Sequence, residues 1–145
     1  MTRSLLLAAA ALASIATLAA TQAISESSFP DLRGTWKGES ESVITGSGNP
    51  HHAGTPQSAE PHVSSVAFTL MIDHQDGRRF WGTFSSARLT ESIIGVISRN
   101  GAIYFVDPKS YSFGTLLAPD RLEMCYLQTA SYGRVASCTE LTKQP

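Results

Sequence analysis

Histidines are the side chains of this chain that most directly suggest chemistry, because imidazole binds metals and moves protons near neutral pH. His51, His52 and His62 lie in or beside one stretch rich in Gly and Pro, and three imidazoles can hold a zinc or copper ion. Adjacent His51 and His52 point apart in most conformations, however, and nine residues separate His52 from His62. The spacing makes them weak metal candidates, so we expect solvated loop histidines, no bound metal and no cofactor.

A nucleophile for covalent catalysis is not evident in the sequence. No serine sits in the glycine-flanked strand–turn–helix elbow that acyl-transfer enzymes use. The two cysteines, Cys125 and Cys138, are expected to be oxidised and therefore unreactive as thiols. We therefore predict that the protein is not an enzyme and keep a hydrolase as the least favoured alternative.

The N-terminal 23 residues have the layout of a secretory signal peptide. Arg3 gives a basic start, Leu5 to Ala20 is almost entirely apolar, and Thr21-Gln22-Ala23 places small residues at the positions that a signal peptidase reads. The alternative, a membrane anchor, needs a longer and less alanine-rich run. We expect cleavage after residue 23, export to the periplasm or the extracellular space, and no stable membrane insertion afterwards.

The charge balance limits the partners of the exported part. The chain carries 11 Lys and Arg against 12 Asp and Glu, with no run of like charges. A nearly neutral chain of this kind lacks the basic surface that binds nucleic acid or an anionic membrane. The expected partner is therefore an unidentified small ligand or another protein.

Residues 24–31 read as a short polar lead-in, and 32–145 read as one β-domain. From Leu32 onward apolar residues alternate with period two in short runs that are separated by turn residues, which is the strand signal. Eight such runs, joined mostly by tight turns, favour an antiparallel meander closed into a β-barrel. A β-sandwich is the alternative. The predicted strands are 32–44, 63–74, 78–89, 91–99, 102–107, 111–117, 121–129 and 134–141.

The alternation also predicts which side chains face inward. In the second run Val66, Phe68, Leu70 and Ile72 share one face, whereas Ser65, Ala67, Thr69 and Asp73 share the other. Leu122, Met124 and Tyr126 are expected to face inward as well. The residues predicted to line a ligand cavity are Phe68, Leu70, Phe80, Phe84 and Tyr126.

One connection, from Gly46 to Pro61, is much longer than the others. It holds three Gly and three Pro and no apolar residue larger than Ala, so burial cannot offset the entropy of ordering it. Its place between the first two strands makes it either a lid over one barrel mouth or a flexible loop without a role.

Gly34-Thr35-Trp36, preceded by Phe29-Pro30-Asp31-Leu32, resembles the Gly-X-Trp opening of the first strand in calycins, the superfamily of lipocalins, fatty-acid-binding proteins and avidins. The resemblance implies a calycin-like barrel in which Gly34 permits close chain approach and Trp36 plugs one end. It does not imply biotin binding, because Lys37, Gly38 and Glu39 replace the ligand-contacting Asn and Ser of avidins.

The last two predicted strands also predict a disulfide bond. If Ser131 and Tyr132 are the central turn residues, Cys125 lies directly opposite Cys138, at a separation that a disulfide can bridge. A bulge at Gly133 would shift this pairing by one residue. Two free thiols are the alternative, which an oxidising compartment disfavours.

These observations favour an exported barrel that binds a small apolar or amphipathic ligand. The alternative is an interaction module or inhibitor whose barrel is filled and whose loop Gly46–Pro61 contacts another protein. The interior volume discriminates between the two, because a ligand carrier needs a cavity of ligand size.

Overall fold

A computed structural model describes residues 29–46, 49–52, 58–131 and 133–145. The predicted signal peptide and residues 24–28 of the lead-in lie outside the described residues. In the part of the chain that is described, no helix is long and apolar enough to cross a membrane.

The described residues form nine β-strands and one short 3-10 helix, η1 (Pro50–His52). Eight of the strands follow the ring order β1-β3-β4-β5-β6-β7-β8-β9, and β1 pairs with both β3 and β9, which closes the sheet into an antiparallel barrel. This closure confirms the predicted barrel and rules out the sandwich. The strands are β1 (Gly34–Gly46), β2 (Ser58–Ser64), β3 (Ala67–Asp76), β4 (Arg79–Ser85), β5 (Thr90–Ile97), β6 (Ile103–Val106), β7 (Tyr111–Ala118), β8 (Arg121–Ala130) and β9 (Gly133–Lys143).

The additional strand, β2, pairs with the same edge of β1 as β3 does and precedes β3 along that edge. Ser42 pairs with Ser64 and Gly38 with Phe68, so the register is the same on both sides of the break at Ser65 and Val66. At the break the Ser40 hydroxyl accepts a hydrogen bond from the Val66 N–H at 3.1 Å, while the Ser40 N–H donates to the Val66 carbonyl at 2.9 Å. The run predicted as one strand from Val63 to His74 is therefore two strands with a side-chain bridge between them.

The core lies inside the barrel, and the third strand turns the predicted face toward it. Phe68, Leu70 and Ile72 are buried, whereas Ser65, Ala67 and Asp73 on the opposite face are exposed. Val66 and Tyr126 are partly buried. Other core side chains are Leu32, Trp36, Phe80, Phe84, Ile93, Ile97, Ile103, Phe105, Leu122, Met124 and Leu141.

Gly95 allows the aromatic part of this core to pack. It pairs with Phe80 on one side and Phe105 on the other, and these two rings meet edge to face with centroids 5.2 Å apart. A Cβ at Gly95 would lie 2.1 Å from the Phe80 ring. The missing side chain thus makes room for an aromatic ring, as it often does inside barrels.

Strands β8 and β9 pair in the register predicted from the turn. Cys125 is directly opposite Cys138, Leu127 opposite Ala136 and Thr129 opposite Arg134, without a bulge. The two cysteines form a disulfide bond with Cα atoms 4.0 Å apart. Such a bond forms and persists in oxidising compartments, which is consistent with an exported protein.

Candidate functional site

The interior of the barrel is divided into an apolar end and a polar end. Trp36 lies at the apolar end, where it is fully buried and donates its indole N–H to the Leu32 carbonyl at 2.8 Å. The Lys143 ammonium lies over the Trp36 ring at 5.2 Å from its centroid. Gly34 adopts φ +119°, which brings the chain close to Lys143. Trp36 therefore lies at one end of the barrel, as the resemblance to calycins implies. Its role in closing that end stays a prediction.

The polar end is lined by small hydroxyl side chains that leave space inside the wall. Ser42 donates a hydrogen bond to Ser137 at 2.8 Å, and both lie near Ser40 and Thr139 on strands β1 and β9. These four side chains are buried although they are polar. Because they are short, they do not fill the barrel by themselves.

A segment of the chain fills this polar end. Asn49 and η1 enter the barrel mouth, where the side chains of Asn49, His51 and His52 are buried. We call residues 49–52 the plug segment. The long connection between β1 and β2 thus contains ordered, buried residues, and the expectation of solvated histidines at His51 and His52 is wrong.

The local sequence explains why this segment turns into the barrel. Asn49 caps η1: its side-chain oxygen accepts the His51 N–H at 2.9 Å, and its carbonyl accepts the His52 N–H at 3.0 Å. Pro50 at the first helical position fixes φ in the helical range. The Asn49 amide also donates to the side-chain oxygen of Gln128 on β8 at 3.0 Å, which ties the segment to the wall.

His51 is held between a hydroxyl and a carboxylate. Its Nδ1 lies 2.8 Å from the Ser86 hydroxyl, and its Nε2 lies 3.1 Å from a carboxylate oxygen of Glu91. A carboxylate only accepts, so Nε2 donates a hydrogen bond to Glu91. The Arg88 N–H donates to the Ser86 hydroxyl oxygen at 3.3 Å, and the Lys109 ammonium lies 3.7 Å from Glu91. The network joins the His51 imidazole to the partly buried Glu91 carboxylate and, through it, to Lys109.

Aromatic rings form the floor below the plug segment. Phe68 and Phe84 are stacked with centroids 4.5 Å apart, and the His51 ring meets both edge to face at 5.3 and 5.8 Å. His52 contacts Phe68 in the same way at 6.2 Å. The floor therefore offers flat apolar surface at the base of a polar wall.

His52 is held in a neutral form. Its Nδ1 lies 3.0 Å from the Ser64 hydroxyl on β2. Burial lowers the pKa of His52, and repulsion from His51 and His62 lowers that pKa further. Among the described residues, the two shielded ring nitrogens of His62 have no hydrogen-bond partner. No group of three or more metal-ligating side chains is positioned for an ion in the described part of the chain.

The cavity beneath the plug segment measures about 10 Å³, which is room for a single water molecule. Phe68, Phe84 and Tyr126 line it, whereas Leu70 and Phe80 are not part of its lining. Burial raises the pKa of Tyr126. With the plug segment in place, the space beneath it is therefore too small for a ligand. Two larger open hollows, of about 620 and 420 Å³, are both lined by the exposed residues Val43, Leu127 and Ala136.

Several residues of the candidate site were not predicted from the sequence. Ser86, Glu91 and Gln128 come from three different strands or turns, and no local pattern connects them with His51. The Asn49-Pro50 pair is the one signal that could have been used, because Asn before Pro is typical of a helix cap.

No family model matches the chain. A structural comparison finds similarity to the S-type phycobiliprotein lyase CPES from Guillardia theta, with 12% sequence identity, a TM-score of 0.35, and coverage of 79% of this chain and 89% of that one. The matched protein is named as a lyase, so the prediction that this protein is not an enzyme is wrong as stated; no reaction is carried over from it. The closed eight-stranded barrel itself fits a calycin-like fold.

Proposed function

We propose that the protein binds a small amphipathic ligand in the polar end of the barrel after the plug segment moves out. The observation that supports this most directly is the content of that space: a ligand-sized piece of the protein's own chain. The plug segment presents two flat imidazoles and an amide to a hydroxyl-lined wall and an aromatic floor. A ligand with a flat apolar part and a few hydrogen-bonding groups has matching chemistry.

The way the plug segment is held supports its displacement. Hydrogen bonds and ring contacts hold Asn49, His51 and His52 against the wall and floor of the barrel. A hydrogen bond of this kind stabilises by about 1 kcal/mol net, because water or a ligand can replace the partner. The burial of these side chains also argues against the alternative in which this part of the loop contacts another protein.

The filled interior changes the proposal that followed from the sequence. A permanently hollow carrier would show an internal cavity of several hundred Å³, whereas the space beneath the plug segment measures about 10 Å³. Binding therefore requires the ligand to replace the plug segment. The observed association constant is then the intrinsic constant multiplied by the fraction of molecules whose plug segment is displaced.

Removal of the Asn49 side chain tests the proposal. Asn49→Ala loses the cap of His51 and the bond to Gln128, and we expect it to bind N-phenyl-1-naphthylamine, a flat amphipathic fluorophore, about tenfold more tightly than wild type. Asn100→Ala is the matched control, since Asn100 lies in the β5–β6 turn at the opposite end of the barrel. Equal probe binding by the two variants would contradict the proposal.

A second variant tests whether the probe binds inside the barrel. Ser137→Leu added to Asn49→Ala fills the space beneath the plug segment, so the double variant should lose the gain in probe fluorescence. Near-ultraviolet circular dichroism reports whether each variant keeps its native packing. Native mass spectrometry of protein purified from its own host then identifies a co-purifying ligand.

A further inference from the structure

The outer surface of the barrel carries one face without charge. Ten residues of β5, β6 and β7 point outward and are exposed, and none of them is charged. In the described part of the chain, every other strand bears at least one exposed charged side chain. Examples are Lys37 on β1, Glu60 on β2, Asp73 on β3, Arg79 on β4, Glu123 on β8 and Glu140 on β9.

Large apolar side chains dominate this face. Trp81 on β4 lies directly opposite Ile94, and Leu127 on β8 lies directly opposite Tyr111, so both extend the face at its edges. We define the uncharged face as these large side chains on five adjacent strands: Trp81, Ile94, Val96, Tyr104, Val106, Tyr111, Phe113 and Leu127. Their exposed fractions lie between 37% and 68%.

The strand pairing makes the uncharged face continuous. Trp81, Ile94, Val106, Tyr111 and Leu127 are successive direct partners across β4 to β8. Val96, Tyr104 and Phe113 form a second row beside them, in which the Tyr104 and Phe113 rings meet edge to face at 6.1 Å. Direct and diagonal neighbours on one sheet face are close enough for their side chains to touch.

We propose that the uncharged face is the interface between two copies of this chain. At roughly 100 Å² for each half-exposed large side chain, the eight residues present about 800 Å². That area exceeds the apolar patches usual on monomers and matches what one partner contributes to a standard interface. Aromatic enrichment and the lack of charge are the composition of a homodimer interface core.

Charges at the two edges favour a second copy over an unrelated partner. Arg79 on β4, which forms an exposed ion pair with Asp76 of its own chain, and Glu123 on β8 lie at opposite edges of the face. A twofold axis parallel to the barrel axis sets the β4 edge of one copy against the β8 edge of the other, so the edge that carries Arg79 faces the edge that carries Glu123 twice. The face is thus complementary to itself, as an interface with twofold symmetry must be.

The arrangement leaves the ligand site open. Strand β6, at the centre of the face, stands opposite β1 in the ring of eight strands. Contact through the side of the barrel does not cover its ends, so the plug segment stays accessible in the dimer. The inference is independent of the proposed ligand binding.

Sedimentation velocity between 1 and 100 µM tests the interface. Wild type should sediment with twice the mass of one chain. Val106→Glu should weaken association about 100-fold or more, because two desolvated carboxylates would be buried. Lys37→Glu is the control: Lys37 is exposed on β1, which stands opposite β6 in the ring of eight strands, so a carboxylate there should leave the dimer intact.

A pair of charge reversals tests whether misfolding, rather than loss of the interface, explains weaker association of the Val106→Glu variant. Arg79→Glu and Glu123→Arg should each weaken the dimer, and the double variant should restore it, since surface charge changes disturb the fold little. A monomeric wild type at 100 µM, equal dissociation of Val106→Glu and Lys37→Glu, or failure of the double reversal to restore association would each overturn the proposal.

Discussion

Cys125 and Cys138 face each other directly across β8 and β9 and form a disulfide that closes a loop of 12 intervening residues. A loop of this length loses enough entropy in the unfolded chain for the bond to stabilise by about 3 kcal/mol. We expect the double variant Cys125→Ala/Cys138→Ala to lose that amount in urea unfolding. Titration of denatured, unreduced wild type should find no free thiol, and two thiols per chain would contradict the bond.

Trp36 and Trp81 offer a matched pair of substitutions. Trp36 is fully buried and donates a hydrogen bond to Leu32, whereas Trp81 is 45% exposed and stacks on His74. Trp36→Phe loses the hydrogen bond and leaves a void, so we expect a loss of about 2–3 kcal/mol in the free energy of unfolding. Trp81→Phe should cost less than about 1 kcal/mol. Equal losses would argue against a closing role for Trp36.

Gly95 is expected to tolerate no side chain. A Cβ there would lie 2.1 Å from the Phe80 ring and 2.8 Å from the Tyr104 carbonyl, so Gly95→Ala should destabilise the protein by about 1–3 kcal/mol. Adding Phe80→Leu removes the closest clash. The loss in the double variant should therefore be smaller than the sum of the two single losses, as measured in a double-mutant cycle. Simple additivity would contradict the packing argument.

Acidification should loosen the plug segment. The pKa of His52 is lowered in the folded protein by burial and by its histidine neighbours, so the unfolded chain takes up its proton first. This contribution to stability is therefore present at neutral pH and is lost as the pH falls below about 6.5, the ordinary imidazole value. Urea unfolding of wild type between pH 7.5 and 5 should show the decline.

His52→Gln keeps a hydrogen-bonding group but does not titrate. It should flatten the pH dependence of the unfolding free energy relative to wild type over the same range. A variant with an unchanged pH dependence would assign the titration to another group. Binding of N-phenyl-1-naphthylamine at pH 5.5 reports on plug release in the same samples and should exceed binding at pH 7.5.

The alternation of residues predicted much of the barrel. Phe68, Leu70 and Ile72 could be placed inside because side chains alternate strictly along a strand, and a slip by one residue would expose them all. The register of Cys125 and Cys138 followed from a tight turn for the same reason: pairing next to a turn is a local property. The break at Val66 was not predicted, because it depends on the Ser40 hydroxyl of another strand.

The plug segment shows where prediction from the sequence fails. Gly46 to Pro61 is polar and poor in apolar residues, which by itself predicts a solvated loop. Burial of His51 depends on Ser86 and Glu91, residues 35 and 40 positions away, that meet it only when the barrel closes. Polar side chains enter a core when their hydrogen bonds are satisfied there, and the sequence does not show those partners.

The sequence by itself determined the strands, their inward faces and the disulfide register, because these follow from period-two alternation and from turns between neighbouring segments. Tertiary structure alone decided that the barrel is filled at its polar end and that its uncharged residues gather on one side. Both properties arise from closure: pairing β1 with β9 converts linear strands into a ring with an inside, two ends and opposite faces. Contacts across that ring join residues that are distant in the chain, and no local pattern records them.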